Sequence, residues 1–301
     1  MTEPAAVPAA RPTPLQAWVM AARPRTLTAA LAPVLVGTAI AFDDGAMNLW
    51  TALIALFGAY AIQIGTNFAN DYYDAKKGAD TPDRLGPTRV TATGLIRPEE
   101  VKAAMWGAFG VAVLAGFYLV AVGGWPIVLI GVLGIASGIA YTGGPYPLGY
   151  NGLGDVFVFV WFGVIAVMAT HYLQTGAWSN VAFWSSVPIG ALSTAILAVN
   201  NLRDVATDRV AGKRTVVVRF GEWFGRAEYL ACVVVALLLP LGLMASESSL
   251  WFLLPLGTAK WLWSLYLRTF EKPGPQMNVL LADTAKALLV YSALLSLAWI
   301  L

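Results

Sequence analysis

Apolar runs long enough to cross a lipid bilayer constrain this chain more than any other feature. From residue 26 onward they recur between short polar breaks, each near the ~20 residues a helix needs to span ~30 Å of hydrocarbon. They occupy residues 26–42, 49–70, 100–122, 125–142, 154–174, 182–202, 227–246, 249–268 and 282–301. Composition agrees, because 58% of the 301 residues are hydrophobic and only 12% are charged, where soluble chains carry about 25% charged residues. The expectation is an all-α integral membrane protein with about nine transmembrane helices. A signal peptide is the rival reading of the first run, since AIA precedes Phe42; the proline-containing stretch before it and its length argue against that. Residues 1–16, MTEPAAVPAARPTPLQ, have no apolar periodicity and read as a disordered leader. Residues 17–301 then form a single transmembrane domain.

Lysine and arginine placement tests the helix count independently of hydropathy. All 19 lie among residues 11–25, 76–102, 203–226 and 260–286, and the connections at 43–48, 123–124, 175–181 and 247–248 contain none. With nine spans every basic segment falls on one face, which the positive-inside rule makes cytoplasmic. The N-terminus is then inside and the C-terminus outside, in the cell membrane. A net charge of +2 gives no general attraction to nucleic acid, and nothing signals a protein partner. The single cysteine, Cys232, excludes an intramolecular disulfide and a Cys-based zinc site. The single histidine, His171, excludes a histidine metal cluster and disfavours a Ser-His-Asp triad. Any metal is expected to be held by oxygen.

Two acidic constellations stand out on the basic face. The second run ends in NFANDYYDAKKGADTPDR, residues 67–84, where Asn67, Asp71 and Asp74 share one helical stripe. The sixth ends in NNLRDVATDRVAGKRT, residues 200–215, where Asn200, Asp204 and Asp208 do the same. Carboxylates this close repel unless a positive charge sits among them. Oxygen ligands without His or Cys favour Mg²⁺, which takes one or two carboxylates and completes its shell with water and phosphate oxygens. Facing carboxylate pairs followed by Lys76, Lys77 and Arg84 on one side and Lys213 and Arg214 on the other point to a metal-bridged diphosphate. The alternative is surface ion pairing at two helix ends. Asn67 and Asn200 lie four helices apart, as a repeated four-helix unit would place them, though no other identity supports a repeat.

Other residues weigh less. Asp80 and Asp83 follow the first cluster in a Gly- and Pro-containing loop, where either could support the metal ligands or be a solvated turn residue, the latter being favoured for Asp83. Lys260, near the middle of the eighth run, is either an intramembrane functional group or a snorkelling side chain. His171 reads as an interfacial or packing residue and Cys232 as a small apolar one. Tyr72, Tyr73, Tyr141 and Tyr146 fall near the cytoplasmic face, where aromatic rings could shield a cation.

The two Asp-rich segments resemble those of the UbiA superfamily of intramembrane prenyltransferases. ARPRTL (22–27), DRLGPTRVTATGLI (83–96), GGPYPLGYNGLGD (143–155) and GKRTVVVRFG (212–221) are similar to its naphthoate-prenylating branch in menaquinone biosynthesis. The resemblance runs from about Ala22 to the C-terminus. It implies nine helices around a central cavity open laterally to lipid. It also implies Mg²⁺-dependent transfer of a polyprenyl group from its diphosphate to 1,4-dihydroxy-2-naphthoate, with loss of CO₂ and diphosphate, giving demethylmenaquinol. Asp71, Asp74, Asp204 and Asp208 would hold the metal directly or through water. Asn67 and Asn200 would ligate or orient, and Lys76, Lys77, Arg84, Lys213 and Arg214 would bind the diphosphate. Family members often carry a further Asp four residues after the second of the first motif; here that place is Gly78, with Asp80 two residues on, so Asp71 and Asp74 are favoured over Asp80. Prenylation of 4-hydroxybenzoate, homogentisate or haem is the nearer rival activity. A secondary transporter is more remote, since it would place its acidic groups near the bilayer midplane.

Overall fold

A computed structural model describes residues 12–79 and 85–301, which are helical with no strand. Thr13 caps the first helix, α1 (Pro14–Ala22), in a box with Gln16, and Pro14 fills the first turn. Helix therefore begins inside the stretch read as a disordered leader, because TPLQ is itself a helix start. The one-turn 3₁₀ segment Pro24–Thr26 then leads into α2 (Thr28–Asp43).

The remaining elements follow the apolar runs. They are α3 (Leu49–Lys76), α4 (Pro98–Gly123), α5 (Trp125–Ala140), α6 (Gly154–Phe159) continuing through a π segment (Val160–Ile165) into α7 (Ala166–Thr175), and α8 (Asn180–Val210). After the short α9 (Val216–Phe220) come α10 (Glu222–Glu247), a 3₁₀ segment (Leu250–Thr258), α11 (Ala259–Arg268) and α12 (Met277–Ile300). Six spans are long and apolar enough to cross a membrane, and α1 with α2, bent by 44°, makes a seventh if the pair is one span. All nine apolar runs have a helical counterpart among the described residues. Two differ from plain spans: α5 has only 16 residues, and the eighth run is broken by the 3₁₀ segment around Pro255. The chain is an integral membrane protein.

Helix α8 is the central element. Its packed faces are lined by small residues, Ala182, Ser185, Ser186, Gly190, Ala191, Ser193, Ala195 and Ala198, which let neighbouring backbones come close. The larger core joins α8 to α2, α10 and α12 through Val36, Ile189, Leu192, Leu202, Tyr229, Leu288 and Tyr291. A second cluster packs α1, α3, α4 and the 90–96 turn through Phe68, Val90, Met105 and Phe109. Outward, α4 and α5 present Leu114, Phe117, Val132 and Leu133 as exposed apolar surface suited to lipid.

Two helices are built to project. Asn48 caps α3 at the Thr51 amide and Ser179 caps α8 at the Ala182 amide. From there they run 28 and 31 residues, roughly 42 and 46 Å at 1.5 Å per residue. A hydrocarbon core of ~30 Å leaves their last turns at its edge. Both acidic constellations ride on those turns, away from the midplane.

Candidate active site

The first acidic stripe faces inward. Asn67, Asp71 and Asp74 are all buried on α3. Asp71 accepts the Val90 and Thr91 backbone N–H groups at 3.1 and 2.9 Å, so the loop after α3 folds back onto its own helix. That loop brings Arg89, itself buried, to donate from Nη2 to Asp74 Oδ2 at 2.6 Å. Asn67 serves a different contact: its amide nitrogen donates to the Ala22 carbonyl and the Thr26 hydroxyl, fixing the α1 terminus against α3.

The second stripe is organised around an arginine. Arg203 donates to both oxygens of Asp204 and also to Asn200 Oδ1 and, at 2.8 Å, to Asn278 Oδ1 on α12. Asn278 in turn donates to the Leu85 carbonyl, linking the second motif to the loop after the first. Asp155, at the start of α6, accepts from Asn201 at 3.2 Å and is buried beside this group.

The two motifs meet at Lys213. Its Nζ stands 3.5 Å from Asp208 Oδ1 and 3.9 Å from Asp74 Oδ2, so one ammonium spans a carboxylate from each. Lys77 joins it: the Nζ atoms of Lys77 and Lys213 lie 4.7 and 4.9 Å from the centre of the Tyr150 ring. Lys77 also donates to the Thr142 carbonyl at 2.6 Å. Partial burial draws the Lys77 ammonium below the ordinary lysine value; Asp74 opposes this and Lys213 adds to it. Tyr150 donates its hydroxyl to Asp74 Oδ1 at 2.7 Å. Carboxylates and cations from both helix ends thus occupy one small region.

Residues 30–299 match the UbiA prenyltransferase family. The chain belongs to that family. Among its relatives, a 1,4-dihydroxy-2-naphthoate octaprenyltransferase of Escherichia coli (strain K12) is 42% identical over 244 residues, 78% of this chain and 79% of the relative. Another of that name from Mycobacterium tuberculosis (strain ATCC 25618 / H37Rv) is 39% identical over 280 residues, 91% and 94% of the two chains. A UbiA homolog from Archaeoglobus fulgidus, solved bound to DMAPP and Mg²⁺, shares the fold with a TM-score of 0.67 at 15% identity, covering 94% of this chain and 98% of that one. The apo UbiA homolog from Aeropyrum pernix K1 gives 0.71 at 14% identity, covering 90% and 97%.

In this UbiA-family chain the donor set fits a hard divalent cation of limited protein ligation. Asp71, Asp74, Asp204 and Asp208 are buried oxygen donors. Among the described residues, no three His, Cys, Asp or Glu side chains stand close enough to hold a metal by themselves. As placed here, Asp71, Asp74 and Asp204 are satisfied by the Val90 and Thr91 N–H groups, Arg89, Tyr150 and Arg203, so a metal would share their oxygens with these donors or displace them. The sole histidine is elsewhere, its Nε2 2.7 Å from Asp44 Oδ2 at the opposite ends of α2 and α7.

Of the expected basic residues, Lys77 and Lys213 are brought together over Tyr150, although Lys77, like Lys76 and Arg214, is exposed and Lys213 is half-buried. Arg84, Asp80 and Asp83 lie outside the described residues. Arg89, Tyr150 and Arg203 were not singled out from sequence, although all three lie within the quoted motif segments. Tyr146 is exposed and Tyr72 and Tyr73 pack edge to face at 5.0 Å. Lys260 falls just past the 3₁₀-to-α junction and is exposed, and Cys232 is buried in the α10 core.

Proposed function

We propose that this UbiA-family prenyltransferase transfers a polyprenyl group from polyprenyl diphosphate to 1,4-dihydroxy-2-naphthoate, releasing diphosphate and CO₂ and giving demethylmenaquinol for menaquinone biosynthesis. One structural observation carries the diphosphate half of this reading: one buried carboxylate from each projecting helix, Asp74 and Asp208, shares the ammonium of Lys213. The identity with naphthoate octaprenyltransferases over most of the chain supports the acceptor half.

Asp71, Asp74, Asp204 and Asp208 would hold Mg²⁺, with Asn200 and Asn67 orienting the helix ends that carry them. Bound Mg²⁺ would supply charge neutralisation to the diphosphate as it leaves. Lys77 and Lys213 hold the diphosphate oxygens, and Lys76, Arg84 and Arg214 add positive potential around them. The allylic C–O bond breaks with its electron pair going to the diphosphate. The naphthoate ring carbon bearing the carboxylate forms the new C–C bond, and the bond to CO₂ breaks to return its electrons to the ring. Apolar and aromatic walls exclude water from the allylic cation, a role that suits a site at the membrane edge, because the donor tail and the product are both lipids. The site faces the cytoplasm of the cell membrane, in a single domain that extends from about residue 17.

Prenyl transfer by the purified chain with Mg²⁺ tests this. Asp71→Ala and Asp204→Ala are each expected to lower the rate by at least about 100-fold, and near wild-type rates in both would refute the site. Naphthoate, 4-hydroxybenzoate and homogentisate assayed side by side decide the acceptor.

A further inference from the structure

Two like-charged ammonium groups come together on one ring, and that convergence needs an explanation. Lys77 directly follows α3 and Lys213 follows α8, and their charges repel. Both Nζ atoms nevertheless stand within 5 Å of the Tyr150 ring centre, where the negative face of the ring attracts cations. Asp74 supplies the compensating negative charge and is itself tied to Tyr150 by the hydroxyl hydrogen bond of 2.7 Å.

The backbone of Tyr150 is as firmly placed as its side chain. Arg214 N–H donates to the Tyr150 carbonyl at 2.7 Å, and Tyr150 N–H donates to the Pro147 carbonyl at 3.1 Å. Arg219 Nη2 donates to the Asn151 carbonyl at 2.8 Å. Gly152 then turns the chain at φ 74°, with the Arg214 carbonyl 3.0 Å from where a Cβ would lie, a place a larger residue could not occupy without strain. The loop between α5 and α6 is therefore fastened to the second motif by its backbone and to the first by the Tyr150 hydroxyl.

We propose that Tyr150 is a positioning residue that holds Lys77 and Lys213 over one ring so that the two halves of the protein present a single preorganised anion site. This rests on the assignment of both lysines to the diphosphate. Holding flexible lysine side chains in place before the ligand arrives reduces the ordering that binding would otherwise require. The ring does the holding and the hydroxyl sets Asp74, so the two parts are separable by substitution.

The experiment uses the full chain in detergent and three readouts: steady-state kinetics with Mg²⁺ saturating, the Mg²⁺ dependence of the rate, and calorimetric binding of inorganic diphosphate with Mg²⁺. Tyr150→Leu is expected to raise KM for prenyl diphosphate and Kd for inorganic diphosphate about tenfold, leaving KM for the naphthoate unchanged. Tyr150→Phe keeps the ring and is expected to hold both diphosphate constants close to wild type, while shifting the Mg²⁺ concentration for half-maximal rate through Asp74. Wild-type diphosphate affinity in Tyr150→Leu, or an equal loss in Phe and Leu, overturns the proposal. Should Tyr150→Leu fail to fold, Tyr150→Trp keeps an aromatic face, and a tenfold loss of diphosphate affinity there overturns it equally. A wild-type chain that prenylates no naphthoate would instead refute the proposed function, and the calorimetric comparison would still decide on Tyr150.

Discussion

Arg203 grips its own neighbour Asp204 with two hydrogen bonds, Nε to Oδ1 at 2.8 Å and Nη2 to Oδ2 at 2.6 Å. Their side chains are only 1% and 5% exposed. A buried pair of this kind is much more damaging to break than it is beneficial to have, because the survivor is left as an uncompensated charge. Arg203→Met is therefore expected to lower stability by about 3–5 kcal/mol, read as a fall in the thermal unfolding midpoint in detergent. Mg²⁺ with diphosphate offers Asp204 another positive charge, so it should raise the midpoint of the variant more than that of wild type. Equal midpoints for the two proteins without ligand would rule out this role for Arg203.

Asp71 has both carboxylate oxygens committed to backbone donors, Val90 N–H and Thr91 N–H. Asparagine offers one acceptor oxygen and sets an NH₂ group against the other N–H. Asp71→Asn is expected to loosen the 90–96 turn by about 1–3 kcal/mol, besides altering the proposed metal donor. Hydrogen exchange checks this: the Val90 and Thr91 amides should lose protection, and unchanged protection would show that the turn does not depend on Asp71.

How much of this could be read from the sequence depends on range. The helices were legible because a run of ~20 apolar residues has few other solutions, and the Asp stripes were legible because Asn67, Asp71 and Asp74 repeat at helical spacing. The hydropathy of 249–268 could not reveal the 3₁₀ segment, since the run is apolar in either conformation and only Pro255 hinted at a break. Thr13, Pro14 and Gln16 carried a helix-start signal that the absence of apolar periodicity obscured. The partners of the carboxylates were illegible for a different reason. Arg89 is 15 residues and Tyr150 76 residues from Asp74, and loops deliver both. The adjacent Lys76 and Lys77 were inseparable in sequence, but successive side chains on a helix point about 100° apart, and only Lys77 meets Tyr150.

Close helix contact makes a second stability prediction. A Cβ at Gly163, in the π segment, would overlap the Gly190 backbone of α8 and meet the Ser186 carbonyl at 3.0 Å. Gly163→Ala should push α6 and α7 away from α8 and destabilise by about 1–3 kcal/mol. Gly107, inside α4, has nothing within 4 Å of its Cβ position. Gly107→Ala should stabilise by about 0.5–1 kcal/mol, because glycine loses more freedom in a helix. Thermal midpoints that move in the same direction for both variants would contradict this account of α8 packing.

If Lys77 binds the diphosphate as proposed, its titration is expected to shape the pH dependence of substrate capture. Partial burial is the largest influence drawing its ammonium below the ordinary lysine value, with Lys213 adding to that shift and Asp74 opposing it. A lowered pKa means that the positive charge is lost earlier as pH rises. Capture of the anionic prenyl diphosphate should therefore weaken on the alkaline side sooner than an ordinary lysine would allow. Bound diphosphate favours the charged form and moves the titration back upward. The alkaline limb should consequently be displaced between two profiles, lying lower in kcat/KM, which reports the free enzyme, than in kcat, which reports the complex. Lys77→Arg keeps its charge throughout this range, so its kcat/KM limb should move to higher pH. Superimposable limbs for wild type and Lys77→Arg would show that another group governs diphosphate capture.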